Sequence, residues 1–156
     1  MLKTGDVVEV EVRAVAVFGV FCRHEEEEIL VRIPEISWTA SFCSCEQFAQ
    51  PGERLTVKII HVDVPTGKIS ASIKALHPNP WTTGELAPGV EHQARIVRYV
   101  EKADRCEDGS GYLIELIPGA YVMLCTNGRS LEASERVAVV VRDADFGKCA
   151  VRVARK

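Results

Sequence analysis

Val17-Phe18-Gly19-Val20-Phe21-Cys22, an acidic turn at Glu25-Glu26-Glu27-Glu28, then Ile29-Leu30-Val31-Arg32-Ile33-Pro34: this stretch decides the fold. Both apolar segments are of strand length and rich in β-branched and aromatic residues, with a polar turn between them, as in a hairpin. The glycine inside the first segment predicts a bulge or tight bend, as a barrel corner needs. Pro34 cannot donate to a sheet ladder and ends the second segment. Working outward, Val8, Val10 and Val12 alternate with Glu9, Glu11 and Arg13, the period-2 pattern of a half-buried strand. Downstream, residues 35–50 lack this alternation and read as a loop with a short helical turn. Pro51-Gly52-Glu53 opens a strand over 55–60, Asp63 to Gly67 form a turn, and a fifth strand covers 68–74. Five short strands, with one irregular insert between the third and fourth, describe an OB-like β-barrel.

The same rhythm recurs further along the chain. Residues 77–84 (His-Pro-Asn-Pro-Trp-Thr-Thr-Gly) contain two prolines and a glycine and can continue neither a strand nor a helix. Beyond them, strand-like segments at 90–100, 111–116, 120–125, 136–142 and 148–154 repeat the first half in order, with a shorter third-to-fourth connection at 126–134. The expected architecture is all-β, two tandem five-stranded OB-fold barrels. The first copy covers residues 1–76, a linker 77–87, and a second, degenerate copy 88–156. A chain of 156 residues is long enough for two domains of about 70 residues each.

Hydrophobic residues make up 47% of the chain and charged residues 26%, the balance of a packed protein rather than a disordered one. No apolar run is long enough to span a bilayer, and Met1-Leu2-Lys3-Thr4-Gly5-Asp6 has no signal-peptide core. A cytoplasmic location without a membrane partner is therefore expected. The six cysteines are irregularly spaced, several within apolar strand-like runs, and are expected to be free thiols. A net charge of −3 argues against indiscriminate coating of duplex DNA. It is compatible with single-strand binding, which needs only a local basic edge. No glycine-rich phosphate loop, histidine-rich metal motif or nucleophile–base arrangement is visible, so neither catalytic residues nor a cofactor is expected. Cys43-Ser44-Cys45 offers two soft ligands without a second pair at zinc-site spacing. The adjacent glutamates lack the alternation and turn glycine of a calcium loop, so no metal is expected either.

The first copy resembles the S1 RNA-binding domain, an OB-fold module of RNA-handling proteins. The resemblance rests on a glycine-led first strand, Gly5-Asp6-Val7-Val8, and on the phenylalanine-glycine-small-phenylalanine strand Phe18-Gly19-Val20-Phe21. It continues in Leu30-Val31-Arg32-Ile33-Pro34, where the family has leucine-valine-histidine-isoleucine-serine, and in Val62-Asp63 and Gly67-Lys68 around the last turn. The tail Ser72-Ile73-Lys74, running on to Asn79-Pro80-Trp81, also looks like family members with tandem repeats. The resemblance implies single-stranded RNA as partner, with Phe18 and Phe21 as exposed stacking platforms, where patterning alone would bury them. It places Arg32 at the family's histidine position and Asp63 and Lys68 at its remaining surface positions. An arginine there can stack on a base and donate to phosphate.

In the second copy Ser110 and Leu113 stand at the two aromatic positions and Cys125 at the histidine position, with Asp145 and Lys148 retained. Little or no RNA binding is expected of it, and it reads as a stabiliser, spacer or protein contact. Tyr112 lies off the register a platform would need. Trp81 is expected to pin the linker between the barrels, and Trp38 to pack. The ribosome or RNA-processing proteins are partners the resemblance admits, and OB barrels accept single-stranded DNA as well. A competing reading is a protein-interaction adaptor on an OB scaffold that has abandoned RNA. The net negative charge, the glutamate run beside the groove and the lost aromatics of the second copy favour it. An exposed face shared by Phe18, Phe21 and Arg32 separates the two readings. A regulatory fragment of a larger RNA enzyme is a third option, against which the opening Met1 speaks.

Overall fold

The structure, a computed structural model, describes residues 2–39, 45–100, 110–125, 135–148 and 150–156. The chain divides into two compact units, Met1–Ser37 with Ser44–Pro78 and Trp38–Cys43 with Asn79–Lys156. No helix among the described residues is long and apolar enough to cross a membrane.

In the first unit, β1 (Val7–Val15), β2 (Gly19–His24), β3 (Glu27–Arg32), β4 (Arg54–Asp63) and β5 (Lys68–Ser72) form a closed barrel in the order β1-β2-β3-β5-β4. The β3–β5 pairing that closes it is parallel and the other ladders are antiparallel. The period-2 pattern works as physical chemistry demands. Val10 and Val12, Val20 and Cys22, and Ile29 and Val31 turn into the barrel, while the residues between them face outward.

Three expectations are corrected here. The third strand begins at Glu27, so only Glu25 and Glu26 make the turn, Glu25 taking a positive φ of 55°. Glu27 and Glu28 are strand residues, drawn in by pairing with His24 and Arg23. The second strand begins at Gly19 rather than at Val17, because the chain makes the expected tight bend at Val17 and Phe18, and the bulge lies on β1, between Val12 and Ala14. Gly19 is needed for close approach: a Cβ there would sit 2.9 Å from Leu30 Cδ1 and 3.1 Å from the Val31 carbonyl oxygen. The last strand stops at Ser72 rather than at 74, because the chain tightens into a 3-10 turn at Lys74–Leu76. The buried Ser72 hydroxyl secures this change, donating to the Glu35 carbonyl (3.2 Å) and accepting from the Ala75 N–H (3.1 Å). The insert contains 3-10 turns at Ile33–Glu35 and Cys45–Gln47; Cys43 and Ser44 lie outside the described residues.

In the second unit, β6 (Glu91–Val100), β7 (Gly111–Ile117), β8 (Ala120–Cys125), β9 (Arg136–Asp145) and β10 (Ala150–Arg155) follow the order β10-β9-β6-β7-β8. This is the same succession as in the first barrel, nearly closed. Among the described residues no ladder joins β8 to β10, the pair matching β3 and β5. The core is built around Tyr112, Ile114, Leu116, Val122 and Leu124. The 126–134 connection lies outside the described residues.

The segment read as a linker is divided, since Asn79 onward groups with the second unit and Pro80 and Leu86 are buried. Asn79 caps the turn Pro80–Thr82 by accepting from the Trp81 N–H (2.9 Å). Trp81 packs on the second core, meets Phe146 edge-on at 5.6 Å, and donates from Nε1 to the Trp38 carbonyl within the same unit (2.8 Å).

The cysteine expectation holds for Cys22 and Cys45, which are free and buried, and fails at Cys125, which is disulfide-bonded. Burial pushes the Cys22 thiol up to about 12 and that of Cys45 to about 11.

Candidate nucleic-acid interface

The turn before β2 is fixed by backbone bonds. Ala16 N–H donates to the Gly19 carbonyl (2.9 Å), and Ile33 N–H donates to the Phe18 carbonyl (2.9 Å). Phe18 is thereby held against the end of β3. Along the β2–β3 ladder, the pairs Gly19↔Arg32, Phe21↔Leu30 and Arg23↔Glu28 alternate with the inward pairs, and Ser70 on β5 continues the Phe21↔Leu30 row. All of these but Gly19, with Phe18, Arg13 and Lys68, line an open groove of about 810 Å³. Phe18 is 56% exposed and Phe21 39%. Their rings meet edge to face, with centroids 5.8 Å apart and planes at 89°. Leaving an aromatic side chain in water forgoes roughly 1.5–3 kcal/mol of burial, so a pair of them on one groove marks an interaction surface.

The electrostatics of the groove differ from those of the whole chain. Among the described residues Arg13, Arg23, Arg32 and Lys68 line it against one carboxylate, Glu28, in a protein whose net charge is −3. Arg13 is paired with Glu11 (3.2 Å), and Arg23 Nε donates to the Glu25 carbonyl (2.9 Å). The side chains of Arg32 and Lys68 make no hydrogen bond or ion pair among the described residues, so no Arg32–Glu35 bridge forms. Two cations therefore remain available to a ligand.

Of the five residues singled out in the sequence, Phe18, Phe21, Arg32 and Lys68 come together on this groove. Asp63 does not line it. Its carboxylate accepts from the Thr66 hydroxyl (2.7 Å), and its carbonyl accepts from the N–H of Gly67 (2.7 Å), which has a φ of +72°. Asp63 thus shapes the turn whose far strand begins at Lys68, its cross-strand partner. Arg13, Arg23, Glu28, Leu30 and Ser70 were not anticipated as groove residues. Alternation outward from Phe21 reaches Arg23, but Glu28 becomes readable only once the hairpin register is known.

The second barrel repeats this register with other chemistry. Gly111↔Cys125, Leu113↔Met123 and Glu115↔Tyr121 match the three outward pairs of the first barrel. Ser110, Leu113, Met123 and Tyr121 are all buried, and Tyr112 belongs to the core. Arg95 and Glu115 pair across strands (3.3 Å), and the Tyr121 hydroxyl is hydrogen-bonded to Glu115. Burial, with Glu115 beside it, pushes Tyr121 up to about 12. The expected carry-over of Lys148 is corrected by the ladder. The strand partner of Asp145 is Ala150, and Lys148 sits in the short turn Phe146–Lys148, its N–H bonded to the Asp145 carboxylate (3.3 Å). Among the described residues this face presents no exposed aromatic platform; Ala150 stands at the position of Lys68, and the strand cation beside it, Arg152, is paired with Asp143.

Residues 2–74 match the family model described as the S1 RNA binding domain. A small ribosomal subunit protein bS1 homolog of Bacillus cereus is 35% identical over 120 residues, which is 76% of this chain and 29% of that protein. A 4-hydroxy-3-methylbut-2-enyl diphosphate reductase of Clostridium acetobutylicum is 34% identical over 76% of this chain and 17% of its own length. The chain thus spans less than a third of each of these relatives. The solution structure of GSP13 from Bacillus subtilis aligns with a TM-score of 0.46 and 30% identity, covering 50% of this chain and 62% of that one. With their five-stranded closed barrel and the Phe18-Gly19-Val20-Phe21 segment at its groove, residues 2–74 belong to the S1 RNA binding domain family.

Proposed function

We propose that this chain binds single-stranded RNA by recognition alone, without catalysis, in the groove of its first barrel. The observation that carries this reading is the meeting of Phe18 and Phe21, both exposed, with Arg32 and Lys68, unpaired among the described residues, on one groove. Bases stack on the two rings while the cations meet phosphates or base edges. Because the rings stand perpendicular, bases lying flat on each would not stack on one another, so the strand turns between them. Stacking at roughly 1–3 kcal/mol per base gives about 2–6 kcal/mol in all, an affinity in the micromolar range or weaker before the cations add to it. Asp63 acts through the turn that presents Lys68. The second barrel stabilises or extends the first without its own base platforms. Association with the ribosome or with RNA-processing proteins in the cytoplasm belongs to the same proposal, supported by the ribosomal name of one relative.

The test is fluorescence anisotropy of a labelled single-stranded RNA dodecamer at low salt, with the full chain and its Phe18→Ala/Phe21→Ala variant. The expected result is micromolar binding that falls at least tenfold in a variant that stays folded. A DNA dodecamer of the same sequence measures how far the sugar matters. Absence of binding by the unaltered chain would favour the protein-adaptor reading instead.

A further inference from the structure

Among the described residues Glu28 is the one carboxylate lining a groove with four cations, and it works against any ligand held by its phosphates. Its placement suggests what offsets that. On β3 it is the next outward residue after Leu30, which pairs with Phe21, and successive outward residues on a strand lie about 6.8 Å apart. The carboxylate thus stands one step along the groove from the Phe21 ring. The parallel register that pairs Leu30 with Ser70 sets Lys68 beside Glu28 on the neighbouring strand. Glu28 makes no hydrogen bond or ion pair among the described residues, with either Lys68 or Arg23 opposite, and Arg23 Nε is occupied by the Glu25 carbonyl. A free acceptor pair and a free donor therefore stand side by side, next to an exposed ring.

We propose that Glu28 is a specificity-determining residue that selects guanine at the Phe21 end of the groove. This rests on the single-stranded RNA reading above. An ionised carboxylate offers acceptors only. Of the four bases, only guanine presents two adjacent donors on its Watson–Crick edge, N1–H and the 2-amino group, which one carboxylate can bind in bidentate fashion. Its O6 lies next to them, where the Lys68 ammonium can donate. Cytosine and adenine set a ring-nitrogen acceptor beside their single amino group, and uracil flanks its one N–H with two carbonyls, so each turns a lone pair toward the carboxylate. The matching position of the second barrel is Tyr121, buried and bonded to Glu115, which cannot serve this way.

The experiment uses the full chain and its Glu28→Gln variant with three labelled RNAs: a uridine dodecamer, the same strand with one central guanosine, and the same strand with inosine there. Inosine keeps N1–H and O6 but lacks the 2-amino group. The unaltered chain is expected to bind the guanosine strand about tenfold more tightly than the uridine strand, the discrimination one bidentate base contact supplies, with inosine between them. Glu28→Gln is expected to bind the uridine strand at least as well, because a repelling charge is gone, while its guanosine-to-uridine ratio falls to about one. Equal binding of all three strands by the unaltered chain overturns the proposal and leaves the RNA reading intact, as does a ratio that survives in the variant. If no strand binds at low salt, the RNA reading itself fails and this inference falls with it.

Discussion

The two barrels of this chain share strand order and outward register, yet their corresponding faces are opposites. In the first, Phe21, Glu28 and Leu30 stand on an open groove beside Arg32 and Lys68. In the second, the same positions hold Leu113, Tyr121 and Met123, all buried, and the polar groups among them satisfy one another through Arg95, Glu115 and Tyr121. The parallel β3–β5 pairing sets Lys68 on the groove of the first barrel. In the second, β8 and β10 share no ladder among the described residues, and Lys148 belongs to a turn. Topology therefore fixes where a ligand-facing position falls. The side chain placed there, and whether it is left with unmet hydrogen-bonding capacity and open aromatic surface, decides whether the position can bind.

The contrast is most exposed to test through its aromatic residues. Tyr112→Ala removes a fully buried ring from the second core and is expected to cost about 3–5 kcal/mol of stability, measured by denaturant unfolding. Phe21→Ala trims an exposed ring and is expected to cost no more than about 1 kcal/mol. Equal costs would mean that Phe21 is a core residue and the two faces are alike. Gly19→Ala comes next, at about 1–3 kcal/mol, because its Cβ would press on the Val31 carbonyl at 3.1 Å and push Leu30 aside. A neutral outcome there would show that β2 and β3 have room to separate. The smallest effect is the salt dependence of RNA binding. The two available cations, Arg32 and Lys68, predict a log–log slope of about −1.4. A slope several times steeper would point to phosphate-led binding spread over both units.

How much of this could be read from the chain is best judged at particular residues. The order and approximate bounds of the strands follow from β-branched alternation and turn residues, and the second-copy strand at 120–125 matches β8 (Ala120–Cys125). Four consecutive glutamates disfavour a strand and read as a turn that takes in Glu27 and Glu28. Cross-strand pairing with His24 and Arg23 outweighed that propensity, and with it Glu28 entered the groove. The early end of β5 depends on the Ser72 hydroxyl reaching the Glu35 carbonyl, a contact between residues distant in the chain. The disulfide at Cys125 was likewise out of reach, since pairing is set by Cα separation rather than by spacing in the chain. Lys148 is the first lysine after Asp145, as Lys68 is after Asp63, but it follows by three residues instead of five, and the Asp145↔Ala150 ladder shows that the turn holds it off the strand.

The claim that RNA occupies the first barrel's groove, and not the matching face of the second, is tested most directly by amide chemical-shift mapping. The ¹⁵N-labelled full chain would be titrated with a single-stranded RNA dodecamer. The expected shifts lie at residues 18–23, 28–32 and 68–70, with 110–117 and 120–125 unmoved. Shifts of equal size on the second set, or none on the first, would contradict the division of labour between the two barrels.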